Sequence, residues 1–421
     1  MAQTNKPYDA IIVGARCAGS PTAMLLARKG YRVLLIDRAT FPSDTVSSHI
    51  LHPPGVASLS RWGLLDRLTA TGCPAIDTYT FDFGPVTVGG APGTKEAPVG
   101  YCPRRTVLDN LLVHAAAEAG AEVREGFSVK EIVQENGRVT GIKGQTKDGN
   151  IVTERAAVVI GADGRHSRVA EAVRAEQYNE KPPLLSLYYS YWSGLPMNGK
   201  FETYIRPNRG MAAVSTHDDL TVVIVGWPYA EFETNKKDIE GNYLQTVALA
   251  EEFSERLRGA RRETPFAGAA MPNFFRKPYG PGWALVGDAG YIKDPVTGQG
   301  ISDAFRDAEL CANALDEAFT GKRSFDAAMA AYQQTRDEQV LSMYEFTCQL
   351  ATLQPPPPEL QQLLGAMQGN QKAMDGFAQM NAGTVSPATF FAPENVNAIM
   401  SAGKTYNPSY ASSASSSAIL L

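Results

Sequence analysis

The hydrophobic pattern opens with a short apolar strand at residues 10–13, which ends at Gly14. An apolar helical stretch follows, and residues 32–36 then form a second buried strand that leads into Asp37. Strand, turn, helix and strand in this order predict a βαβ unit. We expect the rest of the chain to be organised around this unit.

The βα alternation continues in the middle of the chain. Leu and Ala at the helical period predict a helix from Arg105 to Gly120. Two strands, at residues 129–135 and 139–145, are separated by an Asn-Gly pair, which is a strong hairpin signal. Residues 157–160 then form a fully apolar strand.

The pattern changes after residue 184, where aromatic and β-branched residues dominate. These segments predict a largely antiparallel sheet, with strands at residues 185–192, 201–205, 210–215 and 221–227. The later elements are one charged helix at 237–258, a buried strand at 283–286, and helices at 301–319 and 324–353. Beyond the proline run we expect one weak helix and then a poorly ordered Gly/Ser/Ala/Asn-rich tail.

The predicted fold class is α/β with an α+β second part. A Rossmann-like dinucleotide-binding domain holds a parallel sheet with an inserted β-meander, and a mostly antiparallel domain and C-terminal helices complete the fold. A chain of 421 residues exceeds one usual core, so two domains are expected. The predicted boundaries are 1–75, 101–180 and 277–335 for the first domain, 76–100 and 181–276 for the second, 336–404 for the helical region and 405–421 for the tail.

Composition narrows the function classes. A net charge of −5 provides no basic stripe, which argues against a nucleic-acid partner. No apolar run is long enough to cross a bilayer and the N-terminus does not resemble a signal peptide, so a cytoplasmic protein is expected. The 5 cysteines and 5 histidines lack metal-ligand spacing, which predicts reduced thiols and no metal.

The turn after the first strand carries a dinucleotide-binding fingerprint with one departure. Gly14 permits a tight turn, Gly19 permits close helix packing, and the helix N-terminus presents N–H groups to a pyrophosphate. Asp37 is suitably placed for ribose hydroxyls. Arg16 replaces the middle glycine, and its guanidinium either binds a phosphate or points to solvent or the substrate entrance.

Two further motifs follow buried strands. Asp163-Gly164 comes after the strand at 157–160, although Asp-Gly is also a common turn. Asp288 follows the strand at 283–286, where ligands of open α/β sheets bind, although an Asp that caps a helix is the alternative. Gly298-Gln299-Gly300 opens the next helix and can approach an anionic ligand.

These motifs together resemble the FAD-dependent aromatic-hydroxylase superfamily. It comprises single-component flavin monooxygenases and their relatives, the flavin halogenases and geranylgeranyl reductases. The resemblance covers residues 8–350 and includes Arg105 followed by Leu108-Asp109. The sequence departs from the pattern at Arg16 and at Gly290-Tyr291, where hydroxylases often carry Ala-His.

The resemblance implies FAD as cofactor and NAD(P)H as a transient co-substrate. It implies Pro295 at the flavin edge and His49 near the isoalloxazine ring, where a histidine can shuttle protons; a purely structural loop histidine is the alternative. Tyr191, Tyr204 and Trp227 are the substrate candidates, in a set of aromatics that is mostly core. The FAD candidates are Gly14, Arg16, Cys17, Ala18, Gly19, Asp37, Arg38, Arg105, Asp163, Gly164, Asp288, Gly298, Gln299, Gly300 and Ile301.

The function that the resemblance implies first is monooxygenation. NAD(P)H reduces FAD, O2 adds to form a C4a-(hydro)peroxide, and oxygen passes to a hydrophobic, aromatic or polycyclic molecule by hydroxylation or epoxidation. A geranylgeranyl-type reductase of an alkene is the alternative. A halogenase is disfavoured, because residues 201–207 retain Pro207 but lack the tryptophans of the WxWxIP signature. A flavin carrier without turnover is a third class. A separate reductase and a monomeric or homodimeric state stay open.

Overall fold

The computed structural model describes residues 6–403, and within them two eight-stranded sheets dominate. The predicted poorly ordered tail lies outside the described residues. The strands are β1 Tyr8–Val13, β2 Val33–Ile36, β3 Ala75–Ile76, β4 Thr78–Asp82, β5 Thr87–Gly90, β6 Gly100–Tyr101, β7 Glu122–Arg124, β8 Ser128–Glu135, β9 Arg138–Gln145, β10 Ile151–Gly161, β11 Gln177–Lys181, β12 Leu185–Ser193, β13 Lys200–Arg206, β14 Arg209–Ser215, β15 Leu220–Pro228, β16 Arg261–Arg262, β17 Ala267–Ala270, β18 Asn273–Arg276, β19 Tyr279–Gly280, β20 Trp283–Leu285 and β21 Tyr291–Ile292.

The helices connect and cover these sheets. They are α1 Gly19–Arg28, α2 Pro53–Trp62, α3 Leu65–Thr69, α4 Arg105–Glu118, α5 Arg168–Ala172, α6 Phe232–Asn235, α7 Ile239–Val247, α8 Glu251–Arg258, α9 Gly300–Phe319, α10 Phe325–Leu350, α11 Pro358–Met367, α12 Gln371–Asn381, α13 Pro387–Phe390 and α14 Pro393–Gly403.

The first sheet has the order β19-β20-β10-β1-β2-β7 and is parallel from β20 to β7. Strand β2 is buried along its whole length, as expected where a parallel sheet is covered on both faces. Helices α1, α4 and α9 pack on one face. The β8–β9 hairpin pairs with the start of β10 and packs on the other face, so it forms the predicted inserted meander.

The β8–β9 turn shows why the hairpin could be predicted. Asn136 and Gly137 have φ values of 51° and 76°. A two-residue turn with positive φ at both positions matches the right-handed twist of the strands that it joins, and Asn-Gly tolerates that conformation best. The local sequence therefore fixes the register of this pair.

The second sheet has the order β16-β12-β15-β14-β13-β4-β5 and is antiparallel except between β13 and β4. Successive side chains of a strand point to opposite faces, so the sheet separates two clusters. We call one the outer face; it carries Tyr188, Trp192, Tyr204 and Trp227 and packs on α7 and α8. The inner face carries Tyr189, Tyr191 and Ile224 and packs on α11 and α12.

Two helix predictions are wrong. The single charged helix over 237–258 is divided into α7 and α8, because residues 248–250 leave the helical path while Phe253 and Leu257 turn into the outer face. The single weak helix after the proline run is in fact four helices, α11 to α14. They are short, and packing against the inner face holds them.

The predicted α/β fold class, with parallel and mixed sheets and C-terminal helices, is confirmed. All five cysteines are buried and unpaired. Among the helices of residues 6–403, none combines the length and the apolar character needed to span a bilayer.

Candidate functional site

The first glycine motif packs directly against the second motif. A Cβ on Gly14, whose φ is 104°, would lie 2.4 Å from the carbonyl oxygen of Ala162. A Cβ on Gly19 would lie 1.8 Å from the carbonyl oxygen of Gly14, so neither position has room for a side chain. Ala18 caps α1 without a side-chain hydrogen bond, and the first turn of α1 has no acid. This positive helix end is therefore open to an anion.

Asp37 joins the end of β2 to the glycine loop. Its carboxylate accepts hydrogen bonds from the backbone N–H groups of Ala15 at 2.7 Å and Ala39 at 2.8 Å. These contacts hold the turn after β1, and the carboxylate keeps lone pairs for a further donor. The contact with a ribose stays a prediction, as does any contact by Arg38, which is exposed.

Arg16 points away from the helix end and towards α4. Its guanidinium donates to Asp109 at 2.5 Å and to the Ser43 hydroxyl at 2.7 Å. A third contact reaches the carbonyl oxygen of Asp44 at 3.2 Å. Arg16 thus joins the glycine loop, α4 and the loop after β2. A phosphate contact stays a prediction.

Asp109 is the centre of this cluster, and sequence reasoning did not name it as a site residue. It is fully buried and also accepts from Arg105 Nε at 3.0 Å and from the Cys17 thiol at 3.3 Å. Burial raises the pKa of Cys17, so the thiol stays protonated. The available signal was an acid one helical turn after Arg105.

Asp163 is hydrogen-bonded by its own loop. It accepts from the Ser167 hydroxyl at 2.5 Å and from the backbone N–H of Arg168 at 2.7 Å, where α5 begins. These bonds hold the turn at Gly164, where an added Cβ would meet no atom within 4 Å. The contacts therefore give Asp163 a structural role, and a ligand contact at this motif stays a prediction.

Asp288 is in the opposite situation. It follows β20 in a short 3-10 turn, Gly287–Ala289, and within residues 6–403 its carboxylate accepts no hydrogen bond that meets normal geometry. Burial raises its pKa to about 6, against the opposing effect of the Arg105 guanidinium. A half-buried carboxylate with free acceptor capacity suits a ligand that carries hydroxyl groups.

The Gly298–Gly300 turn leads into α9 with its helix end accessible. Gly298 has a left-handed φ of 65°, and a Cβ on Gly300 would meet no atom within 4 Å. Gln299 donates from its side chain to the carbonyl oxygen of Asn381 at 2.8 Å, so its amide faces α12 rather than the end of α9. Ile301 is buried in the core beneath this turn.

A buried charge network supports this turn and was not predicted from the sequence. Lys293 pairs with Asp303, and Arg306 donates to Asp303 at 2.6 Å and to Asp307 at 2.8 Å. Asp307 in turn accepts the backbone N–H of Gly287 at 3.2 Å. Burial lowers the pKa of Lys293. The network therefore connects the start of α9 to the loop that carries Asp288.

Pro295 begins the 3-10 turn Pro295–Thr297 directly before Gly298. The neighbouring Asp294 is buried, and its Oδ1 accepts the backbone N–H of Val296 at 3.1 Å. Its Oδ2 has no partner among residues 6–403, and burial raises the pKa of Asp294 to about 7. Sequence reasoning did not identify Asp294.

His52 is fully bonded within the protein. Its Nε2 lies 2.9 Å from the carbonyl oxygen of Thr297, and its Nδ1 lies 2.8 Å from the Tyr79 hydroxyl. Because a carbonyl only accepts, Nε2 carries the hydrogen and Nδ1 accepts from Tyr79. Burial lowers the pKa of His52 to about 4, so it is neutral at pH 7. His52 thus ties the 49–52 segment to the Pro295 turn.

His49 is buried but only half bonded. Its backbone has a positive φ of 60°, and its Nε2 lies 2.7 Å from the Tyr191 hydroxyl. Its Nδ1 has no hydrogen-bond partner with both suitable distance and suitable angle in the described part of the chain. The backbone of Pro103 still interacts with the ring and opposes the lowering of its pKa. Burial, assisted by Arg105 and Arg104, lowers the pKa of His49 to about 3. The imidazole is therefore neutral with one nitrogen available.

The three aromatic substrate candidates are not brought together. Tyr191 lies on the inner face with His49. Tyr204 and Trp227 lie on the outer face, where Tyr204 donates to Glu202 at 2.7 Å and Trp227 to Thr246 at 2.8 Å. Because successive side chains of a strand point to opposite faces, the sheet separates Tyr191 from Tyr204 and Trp227, so the three cannot line one site.

The remaining motifs converge at the carboxyl ends of β1, β10 and β20. A Cβ on Gly298 would lie 3.2 Å from His52 Nε2, so the 49–52 segment lies directly on the turn before α9. Two open helix ends, a glycine turn and an unbonded Asp288 fit an anionic dinucleotide with a hydroxylated chain.

Comparison with known proteins identifies the cofactor. A family model described as an FAD binding domain matches residues 7–347. The digeranylgeranylglycerophospholipid reductase of Methanocella arvoryzae is 27% identical over 333 residues, which cover 73% of this chain and 77% of that protein. The 3-demethoxyubiquinol 3-hydroxylase of Escherichia coli is 27% identical over 348 residues, which cover 78% and 84% respectively.

Solved structures show the same fold. The myxobacterial chondrochloren halogenase CndH aligns with a TM-score of 0.76 at 21% identity, over 95% of this chain and 97% of that one. The resemblance inferred from the separated motifs is thereby confirmed, and so is the expectation of an enzyme. The chain belongs to the FAD-binding-domain family of FAD-dependent oxidoreductases, whose members include hydroxylases, halogenases and reductases.

Proposed function

We propose that this oxidoreductase is a monooxygenase that uses NAD(P)H and O2 to hydroxylate or epoxidise a hydrophobic small molecule, aromatic or polycyclic in character. The observation that carries the proposal is the neutral His49, whose buried Nδ1 has no partner in the described chain. An unpartnered buried polar atom costs free energy unless a ligand uses it. We therefore assign Nδ1 to a polar group of the substrate.

We propose that FAD is bound by groups that have no other hydrogen-bond partner in the described part of the chain. The open N-terminal ends of α1 and α9 favour negative charge, and Asp288 has free acceptor capacity for ribityl hydroxyls. Bound FAD supplies the redox chemistry, taking electrons from NAD(P)H and activating O2. His52 holds the turn that begins at Pro295 in place beside this site, because the His52 ring donates a hydrogen bond to the Thr297 carbonyl.

The His49–Tyr191 pair can move a proton without a permanent charge. When the Tyr191 hydroxyl donates to Nε2, Nδ1 carries the hydrogen; when Nε2 donates to Tyr191, Nδ1 is an acceptor. Exchange between these tautomers works as a balanced relay: Nδ1 accepts the proton of a substrate hydroxyl, Nε2 passes its own proton to the Tyr191 oxygen, and the Tyr191 hydroxyl releases its proton to water. The pair then stays neutral and the substrate becomes an anion. Loss of that proton enriches an aromatic ring in electrons, which favours attack on an electrophilic oxygen.

A second candidate is an FAD-dependent reductase of an isoprenoid or other alkene. Similarity to the digeranylgeranylglycerophospholipid reductase supports it. A halogenase has weaker support, because β13 contains no tryptophan.

Anaerobic reduction followed by oxygen separates these functions. Purified protein that carries non-covalent FAD is reduced with NADH or NADPH, mixed with O2 and the probe 2-naphthol, and followed by stopped-flow absorbance. We expect rapid reoxidation and incorporation of one atom from isotopically labelled O2 into the probe. Saturation of geranylgeraniol without oxygen uptake would establish the reductase instead, and a product that depends on bromide would establish a halogenase. Reduction by dithionite but by neither pyridine nucleotide would indicate a separate reductase.

A further inference from the structure

Arg104 lies beside the His49–Tyr191 pair and precedes the first residue of α4. Its guanidinium carbon is 4.5 Å from the centroid of the Tyr191 ring. The side chain is only 19% exposed, yet its Nε has no hydrogen-bond partner within residues 6–403. A largely buried guanidinium with an unbonded N–H is costly unless something else binds it.

The acids nearest to Arg104 do not satisfy it. Asp44 and Asp218 each lie 3.8 Å from a guanidinium nitrogen, beyond hydrogen-bond distance. Their side chains are 49% and 77% exposed, and ion pairs of exposed groups contribute little free energy. His217 does not bond to the guanidinium of Arg104. Its Nδ1 instead accepts a hydrogen bond from the backbone N–H of Arg104 at 3.2 Å.

Two neighbouring arginines, by contrast, donate hydrogen bonds to a buried carboxylate. Arg105 donates to the buried Asp109 from two nitrogens, at 3.0 and 2.9 Å. Arg16 donates to Asp109 at 2.5 Å and to Ser43 at 2.7 Å. Arg104 has no comparable carboxylate, although it belongs to the same corner of the molecule.

The groups that Arg104 does approach are those of the proposed substrate side. Its guanidinium covers the ring of Tyr191, whose hydroxyl reaches His49. The charged groups that act on His49 are Arg105 and Arg104, both positive. The first turn of α4 contains no acid, and no side chain caps it. Asp109 takes up Arg16 and Arg105, whereas no acid comes within hydrogen-bond distance of Arg104, so the uncompensated positive charge of this corner lies at Arg104 and favours an anion there.

We propose that Arg104 binds an anionic oxygen group of the substrate, a carboxylate or an ionised hydroxyl, and so selects organic anions over neutral analogues of the same size. This proposal rests on the proposed function in one respect: it assumes that the substrate binds at the inner face. With one plane of the guanidinium against Tyr191, the N–H groups along its edge remain available. Their fixed fork matches the two oxygens of a carboxylate.

The test is calorimetric titration of the FAD-loaded enzyme, without turnover. The probes are 2-naphthoate, 2-naphthol and the neutral isostere 2-naphthamide, titrated into wild type, Arg104→Met and Arg104→Lys. Arg258→Met is the matched control, because Arg258 is exposed at the end of α8 under the outer face. FAD content and thermal midpoint are measured for each variant.

We expect wild type to prefer 2-naphthoate over 2-naphthamide, and Arg104→Met to raise the Kd of 2-naphthoate about 10- to 100-fold. The Kd of 2-naphthamide should stay within about twofold. Arg104→Lys should recover part of the loss, because it keeps the charge but not the fork. A naphthol titration at pH 7 and pH 10 shows whether an ionised hydroxyl binds as the carboxylate does.

Three results would overturn the assignment: no preference of wild type for the anion, equal weakening of both probes in Arg104→Met, or an equal effect of Arg258→Met. Equal weakening with a lowered thermal midpoint would show that Arg104 only holds the loops of Asp44 and Asp218 together. Anion selectivity that depends on Arg104 in an enzyme that transfers no oxygen would remove the monooxygenase proposal and leave the anion site standing.

Discussion

The two faces of the second sheet carry similar aromatic side chains in opposite hydrogen-bonding situations. On the outer face, Trp227 donates to Thr246 at 2.8 Å and Trp192 to the Tyr243 hydroxyl at 3.2 Å. On the inner face, Tyr191 reaches His49, where the chain of hydrogen bonds ends at an unbonded Nδ1 in the described structure. Aromatic content does not distinguish a core from a binding site, whereas completeness of hydrogen bonding does.

The same contrast recurs within a single short segment. His52 bonds through both ring nitrogens, while His49, three residues earlier, bonds through one. Asp163 and Asp288 form a second pair of this kind, since the carboxylate of Asp163 accepts hydrogen bonds from its own loop and that of Asp288 accepts none within the described residues. We expect saturated groups to contribute to stability and unsaturated groups to contribute to ligand binding.

The largest expected effect is on the outer face. Trp227→Ala should lower the free energy of unfolding by about 3–5 kcal/mol, because it removes a fully buried side chain and its bond to Thr246. Urea unfolding measures this, with Tyr229→Ala as control; Tyr229 is 39% exposed, and a change within about 0.5 kcal/mol is expected. Unchanged stability with loss of 2-naphthoate binding would place the substrate on the outer face instead.

On the inner face the effect should appear in turnover. His49→Gln should lower kcat for 2-naphthol oxygenation about 100-fold, with KM within about threefold, because the amide cannot exchange tautomers. The matched variant His52→Gln should mainly cost stability, about 1–3 kcal/mol, since it disturbs two buried hydrogen bonds. If His49→Gln keeps the wild-type kcat, the proton role of this histidine is wrong.

For Asp288 and Asp163 we expect a smaller difference between the effects of the two substitutions. Asp288→Ala should raise the Kd of FAD about 10- to 100-fold, as expected for lost hydrogen bonds to a charged group. Asp163→Ala should change FAD affinity less and cost about 1 kcal/mol of stability, because it removes a helix-capping interaction. Flavin fluorescence titration of the apoprotein measures the first quantity and urea unfolding the second. Equal or reversed effects on FAD affinity would contradict the ranking.

The last expected effect is on acid stability. The pKa values of His52 and His49 fall to about 4 and about 3 in the folded protein, below the ordinary 6.5. The unfolded chain therefore binds more protons below pH 6.5, and each histidine lowers the free energy of unfolding by up to about 1.4 kcal/mol per pH unit on acidification. Asp294 and Asp288, with raised pKa values, oppose this slope.

The contribution of His52 to the loss of stability in acid is obtained by comparing a His52 variant with wild type. His52→Gln should make the loss of stability between pH 6.5 and about pH 4 shallower than in wild type, while the carboxyl contributions cancel between the two proteins. Urea unfolding at half-unit pH intervals measures both slopes. Identical slopes would mean that His52 is protonated in the folded protein or that it titrates normally.

The first sheet could be predicted from the sequence because its signals are local. Buried runs, Gly14, Gly19 and the Asn136-Gly137 turn each dictate their own backbone. The four C-terminal helices could not be predicted in this way. Their stability comes from contacts such as Phe377 against Phe81, whose ring centroids are 5.1 Å apart although the residues are distant in sequence.

The site was predicted in part for the same reason. Glycines and acids after strands mark their positions by spacing, but Asp109, Lys293 and Arg104 act through partners from other segments. The face of each aromatic residue was available from strand alternation, since Tyr191 and Trp192 are adjacent and must point in opposite directions. Which face meets the 49–52 segment depends on how the two sheets pack together.

The bond from Gln299 to Asn381 has a consequence for biosynthesis. The glycine loop is translated long before α12, the helix that contacts the turn before α9. An emerging chain can therefore form its first βαβ unit early, while the turn before α9 still lacks the partner for Gln299. Ribosomes that stop before α12 would release a chain whose inner face is exposed. Such products should be recognised by chaperones and proteases, as other chains with exposed apolar surface are.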